Sequence, residues 1–154
     1  MRTNAILSED RKYRYVLLRE WDSQLPKIMF IGLNPSTADE NQDDPTIRRC
    51  ITFAKSFDYG GFYMLNLFAY RSTSPSKLRE VDDPIGEDND NFLLDYISKV
   101  DQVVACWGNH GSYKGRSLEI RNKLSALFCF GVNKTGEPKH PLYVKSDVKL
   151  KEYH

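Results

Sequence analysis

Apolar residues are laid out along this chain in two ways: short uninterrupted runs, and longer stretches in which they recur every three or four positions. Lys27 to Leu33 is a run of the first kind, stopped by Asn34-Pro35-Ser36, and it predicts a strand buried on both faces. Phe62 to Phe68, Gln102 to Trp107 and Ala126 to Val132 read the same way. Between them the period lengthens. Asp44-Pro45 offers a capping side chain with proline at the first helical position, and Ile47, Cys50, Ile51, Ala54 and Phe57 follow on one face, up to Gly60-Gly61. Asp88 to Val100 and the stretch from Ser112 or Lys114 to Leu124 are two further helices. Upstream, Lys12 to Trp21 sets Tyr13, Tyr15 and Leu17 in near alternation with Arg14 and Arg19, which predicts an edge strand or hairpin.

The order strand, helix, strand, helix, strand, helix, strand predicts an α/β fold: a three-layer α/β/α sandwich around a central four-stranded, mainly parallel sheet, with the N-terminal edge strand or hairpin added. No repeat or low-complexity linker interrupts it, so residues 1–154 read as a single domain. Composition agrees, because 40% apolar and 28% charged residues suit one packed core.

In an open parallel sheet, ligands bind beyond the carboxyl ends of the strands. Polar residues gather at those ends here: Gly32, Asn34, Pro35 and Ser36 after the first buried strand, Asn66 to Arg71 along and after the second, Asn109 and His110 after the third, and His140 beyond the fourth. Asn66 stands out because an amide within an apolar strand must find partners or cost about 1–3 kcal/mol. Other readings stay open. Turn chemistry alone accounts for Asn34-Pro35-Ser36, Asn109 and His110 fit a helix cap, and Arg48 and Arg49 fit a solvated helix face.

Charge and cysteine content narrow the classes. Lys and Arg number 22 against 21 Asp and Glu, a formal net charge of +1, which disfavours binding to long duplex DNA through phosphate contacts. The basic residues Arg71, Lys114, Arg116, Lys134, Lys139 and Lys145 fall mainly in or after the loops at strand ends, so a modestly basic mouth is expected. Three cysteines in apolar surroundings read as buried reduced thiols, in keeping with a cytoplasmic location. Without a CxxC pair or close histidines, no metal and no cofactor is expected. The N-terminus lacks an apolar signal core and no stretch approaches the ~20 apolar residues of a membrane span, so no membrane partner is expected either. Phosphate-binding GxxxxGK[ST], dinucleotide GxGxxG and acyl-transfer GxSxG motifs are absent.

Phe30 to Ala38, Asp44 to Cys50, Asn66 to Arg71, Asp83 to Gly86, Trp107 to Gly111 and His140 to Tyr143, taken in order, resemble the bacterial and phage family designated domain of unknown function 1643. A more distant resemblance carries chemistry. Gly32-Leu33-Asn34-Pro35, Met64-Leu65-Asn66, Cys106-Trp107-Gly108 and His140-Pro141 are similar to motifs of the uracil-DNA glycosylase superfamily. That resemblance implies a glycosylase-like protein acting on an N-glycosidic bond in DNA, a nucleoside or a nucleotide. It makes Asn34 the group that orients water, His140 a donor to a base carbonyl and Asn66 a reader of the base edge. Phe68 or Tyr70 would stack on the base.

Departures accompany it. Position 34 carries an amide where more active members carry a carboxylate, implying slower water activation, and Leu142-Tyr143 follows His140-Pro141 where a Ser-Pro clamp is usual. The expected partner is therefore a nucleobase, a nucleotide or a short or single-stranded nucleic acid. The alternatives are a non-catalytic nucleobase-binding module and a phosphate-handling enzyme using Arg48, Arg49, Arg71 and Lys134.

Overall fold

The computed structural model describes residues 1–154. Seven strands form one mixed sheet: β1 (Arg2–Leu7), β2 (Arg14–Glu20), β3 (Lys27–Gly32), β4 (Gly61–Asn66), β5 (Val103–Ala105), β6 (Leu127–Cys129) and β7 (Lys151–Tyr153). Their spatial order is β1-β2-β4-β3-β5-β6-β7. The inner strands β4, β3, β5 and β6 run parallel to one another, while β1, β2 and β7 pair antiparallel at the two sides.

The sheet is thus wider and more mixed than the four strands expected. Two of the additions escaped because their sequences lack a strand pattern: Arg2 to Asn4 is exposed, and β7 buries only Tyr153. The Lys12–Trp21 segment is not an edge. β1 pairs with β2 as a hairpin and covers its outer side, so all seven β2 residues, Arg14 and Arg19 included, are buried.

Helices cover both faces. Alternation along β3 sends Ile28 and Phe30 to one side and Met29 and Ile31 to the other. The first side receives Ile47, Cys50, Phe53 and Ala54 from α1 (Pro45–Ser56), together with Phe130. Asp44 caps α1 by accepting the Ile47 N–H at 2.9 Å, as the Asp-Pro pair predicts. The second side receives Leu93 from α2 (Asn89–Ile97) and Ile120 from α3 (Arg116–Lys123). α3 starts later than its apolar spacing suggests, because Lys114 (φ 56°) and Gly115 (φ 65°) turn left-handed and separate it from a 3-10 stretch at Asn109–Gly115. No helix is long and apolar enough to cross a membrane.

Candidate functional site

At the carboxyl ends of β3 and β4 the chain encloses a cavity of about 720 Å³. Pockets of ~300–1,000 Å³ hold small ligands and cofactors. Of the residues nominated from sequence, Gly32, Asn34, Pro35, Ser36, Asn66, Asn109, His110 and His140 line it. The topology explains this convergence: β3 and β4 are parallel neighbours in register, so Gly32 lies opposite Asn66 at their common end. Gly32 leaves room for that amide. A Cβ there would lie 2.9 Å from Asn66 Nδ2 and 2.7 Å from Met64 Cε.

Asn34 is clamped on one side. Its Nδ2 donates to the carbonyls of Pro35 (3.1 Å), Ser72 (3.1 Å) and Tyr70 (3.4 Å). Carbonyls only accept, so the orientation of the amide is settled by its partners. Oδ1 is left without a protein donor and gives the cavity a fixed acceptor.

Asn66 is held in the opposite sense. Arg14 Nη2 donates to its Oδ1 at 3.3 Å, which leaves Nδ2 without a protein partner. Its backbone is anchored as well: Asn89 Nδ2 donates to the carbonyls of Asn66 (2.9 Å) and Leu67 (3.2 Å), and Arg116 Nε donates to Leu67 O (2.8 Å). Arg14 is only 2% exposed, reaches Ala38 O through Nη1 at 3.0 Å, and leaves its Nε unpaired. Burial, partly offset by Asp44, lowers its pKa to about 10, so it stays charged at neutral pH. A shift of that size corresponds to a destabilisation on the order of 3 kcal/mol. Arg14 and Asp44 are the only cation-bearing Lys/Arg and the only acid on the cavity wall. Sequence reading missed both in this role, although the cap made by Asp44 was legible.

His140 sits at the start of a 3-10 turn, Pro141–Tyr143, and its Nδ1 accepts the Leu142 N–H at 3.2 Å. An accepting Nδ1 places the proton of the neutral ring on Nε2, making that atom a donor. Burial lowers the His140 pKa below the usual histidine value, against a smaller opposing effect of Asp44. Arg49 steadies the loop from α1 by donating to Pro141 O and Val144 O while lying over the Phe53 ring. It is therefore not the solvated face residue its helical position suggested.

Because the folded pKa of His140 lies below the unfolded one, protonation favours unfolding, and stability is lost as pH falls below about 6.5. Protonation also puts a hydrogen on Nδ1, facing the Leu142 N–H. Thermal melts should be flat from pH 8 to about 6.5 and decline below it, and His140→Ala should shrink that acid limb. An acid limb of unchanged size in the variant would remove His140 from this role.

The remaining nominations fall elsewhere. Phe68 is fully buried and packs on Tyr113, because β4 stops at Asn66 and the chain then turns into the second core. Tyr70 packs edge-on against Tyr13, with ring centroids 5.7 Å apart. Neither ring reaches the cavity. Arg71 braces the Asn34 turn from behind, donating to the carbonyls of Ser36, Thr37 and Arg11. The basic mouth is not formed: no lysine lines the cavity, and Arg116 is buried in ion pairs with Asp90 and Glu119. Arg48, Arg49 and Lys134 do not line the cavity either.

Asn109 does not cap a helix; its Oδ1 accepts from Asn133 Nδ2 (3.0 Å) and Thr135 Oγ1 (2.7 Å), joining two rim loops. Trp107 forms part of the wall, fixed by its indole N–H to Glu137 Oε2 (2.6 Å), whose other oxygen accepts from Ser117 (2.8 Å). The cysteines are free and buried, and no group of three or more His, Cys, Asp or Glu side chains gathers as a metal site would require.

This arrangement belongs to a mixed α/β protein with a strand-end cavity. The model of a family described as protein of unknown function, DUF1643, matches residues 14–142, and the chain belongs to that family. Neither the curated proteins nor the solved structures contain a match to it.

Proposed function

We propose that the cavity binds a nucleobase, as a nucleoside, a nucleotide or a nucleotide of single-stranded nucleic acid, and that it promotes hydrolysis of the N-glycosidic bond. One observation carries this reading. Two asparagine amides, pinned in opposite senses, present an acceptor (Asn34 Oδ1) and a donor (Asn66 Nδ2), beside the His140 Nε2 donor, to a single cavity.

Each polarity has a use. As the bond between C1′ and the base nitrogen breaks, its electron pair leaves with the base, and donors aimed at a base oxygen stabilise the growing negative charge. Nε2 of a neutral His140 and Nδ2 of Asn66 supply such donors. Asn34 Oδ1 accepts a hydrogen bond from water and so orients it towards C1′. An amide is too weak a base to remove the proton outright. Water therefore adds after the sugar carbon has become cationic, its oxygen bonding to C1′ while its proton passes to bulk solvent or to the departing base. The distant motif resemblance to the uracil-DNA glycosylase superfamily supports the same assignments.

The absence of lysines from the wall, and the presence of Asp44, support a neutral base over a polyphosphate. A non-catalytic reader is the second reading. It is favoured by the fact that the only wall carboxylate, Asp44, is already committed to the N–H groups of Ala38 (3.2 Å) and Ile47 (2.9 Å).

Mass-spectrometric screening of nucleosides and of oligonucleotides bearing altered bases should detect base release by the wild-type protein. A loss of at least roughly tenfold is expected in Asn34→Ala and in His140→Ala, in line with removal of one transition-state contact. Unchanged turnover in both variants overturns the catalytic reading. Thermal stabilisation by nucleosides without any product selects the reader.

A further inference from the structure

A second groove, of about 630 Å³, lies between the turn that joins β1 to β2 and the loop that leads into α2. Its walls carry Glu9, Asp10, Asp83 and Glu87 with the rings of Tyr13 and Tyr15, and no lysine, arginine or histidine. None of these four carboxylates takes part in a salt bridge. Like charges around one concavity repel one another unless a cation enters. Tyr15 independently lacks a partner: it is only 6% exposed, yet its hydroxyl proton has no acceptor in the fold. We propose that this groove binds a free aliphatic polyammonium, whose ammonium groups donate to the carboxylates and to the Tyr15 phenol oxygen. The groove shares no wall residue with the strand-end cavity, so the proposal stands apart from the nucleobase reading.

Local bonding holds the acids in place. The Tyr13 hydroxyl donates to Asp83 O (2.7 Å) and ties the two loops together. Asp83 Oδ1 accepts from the Ile85 (3.2 Å) and Gly86 (3.0 Å) N–H groups, and Asp10 Oδ1 from Ser8 Oγ (2.7 Å) and the Lys12 N–H (3.0 Å), so each keeps one oxygen free. Glu9 and Glu87 are exposed. Gly86 (φ 95°) lets its loop approach the stacked rings, because a Cβ there would lie 3.1 Å from both Tyr13 Cδ1 and Tyr15 Cε1. Burial, then the Asp83 carboxylate, raises the Tyr13 pKa. Burial also raises that of Tyr15, against the Asp88 N–H, with the Asp88 and Glu87 carboxylates adding to it. Both phenols therefore stay protonated at neutral pH and keep a lone pair for a donor.

The spacing of the charges selects the ligand. A calcium ion needs about six to eight oxygens around it, and no three acids here gather as a metal site requires. Separated carboxylates suit a flexible chain whose charges are separated too, and whose methylenes lie against the tyrosine rings. A groove of this size suits a small molecule better than a protein partner, whose stable interface buries on the order of 1,000 Å² or more.

Calorimetric titration of the whole chain at low ionic strength compares three trivalent cations: spermidine, compact hexaamminecobalt(III), and an acetylated, amidated trilysine peptide. Spermidine should bind one to one, at least about fivefold more tightly than the cobalt complex, and should weaken as salt is raised. Equal affinity for spermidine and the cobalt complex overturns the proposal, because it leaves only a diffuse ionic atmosphere. Tighter binding of the peptide than of spermidine also overturns it and assigns the groove to a partner chain.

Variants place the binding. Glu9→Gln combined with Glu87→Gln removes two exposed charges and should cut spermidine affinity roughly fivefold, as the loss of two exposed ion pairs predicts. Tyr15→Phe leaves the charge unchanged and should cut it at least about twofold. Glu80→Gln combined with Asp101→Asn removes two exposed acids outside the groove and should leave affinity unchanged. Unchanged affinity in the Glu9 and Glu87 double variant or in Tyr15→Phe, or an equal loss in the control pair, overturns the site. Thermal melts without ligand complete the test: the Glu9 and Glu87 double variant should melt no lower than the wild type, because repulsion is relieved. A lower melting temperature would mean that these carboxylates already have partners in the fold, and overturns the proposal.

Discussion

Asn34→Asp should lose stability and gain no activity. A carboxylate at the place where water is oriented is the obvious route to a faster hydrolase, being a better base than an amide. The surroundings of Asn34 oppose it. Three carbonyl oxygens, of Pro35, Tyr70 and Ser72, are satisfied by Nδ2 within 3.1–3.4 Å, and a carboxylate would present oxygen to all of them. Lost hydrogen bonds at this half-buried turn, with oxygen–oxygen repulsion added, are expected to cost about 2–3 kcal/mol. For a chain of this size that is a fall in Tm of roughly 5–10 °C.

The pH dependence identifies the cause. Facing carbonyls raise the pKa of the introduced carboxyl above its unfolded value. The penalty is then full at pH 7 and shrinks as pH falls towards about 4, where the protonated acid can donate to one carbonyl. Thermal melts of wild type and Asn34→Asp at pH 7 and pH 5, with base release measured alongside, check both parts. A variant with wild-type Tm and faster release would show that the clamp does not determine the residue at 34.

The elements that were legible in the sequence are those whose burial is set by their own residues. β3 and β5 are apolar runs ended by Asn34-Pro35 and Gly108, β4 lies in the apolar run read as Phe62 to Phe68, and parallel pairing brings their ends to one edge. That is why Asn34, Asn66 and His140 could be nominated together and why they share a cavity. What was illegible depends on partners far along the chain. Arg14 looks like an outward residue of an alternating strand; its burial requires β1 on one side and the Ala38 carbonyl, from another loop, on the other. Phe68 belongs to the Phe62–Phe68 stretch that reads as one strand with a single amide in it, yet the strand ends at Asn66 and the ring joins the opposite core. Glu137 carries no local signal for the indole it fixes, 30 residues away.

Arg19→Met should be the most destabilising single change among the charged residues of β2. Arg19 is fully buried and donates to Asp43 Oδ1 (2.7 Å) and to the carbonyls of Leu18 (2.9 Å), Asp39 (2.6 Å) and Gln42 (3.0 Å). These bonds fold the Asp39–Asp43 loop against the sheet, and that loop connects Ala38, the partner of Arg14, with Asp44, the cap of α1. Methionine fills much of the space but leaves one carboxylate and three carbonyls without their donor. Removing one partner of a buried charged network costs about 3–5 kcal/mol, so Tm should drop by roughly 10 °C or more. Arg48→Met, one turn into α1 and exposed, is the control and should stay within about 0.5 kcal/mol of wild type. Urea titrations with an unchanged slope would show that the loss lies in the folded state. The consequence for the cavity follows the same chain of contacts: once Ala38 is free to move, Arg14 loses one of its two anchors beside Asn66. Equal midpoints for Arg19→Met and Arg48→Met would mean that the loop is held by its own turns, and that the guanidinium of Arg19 contributes no more than a solvated one.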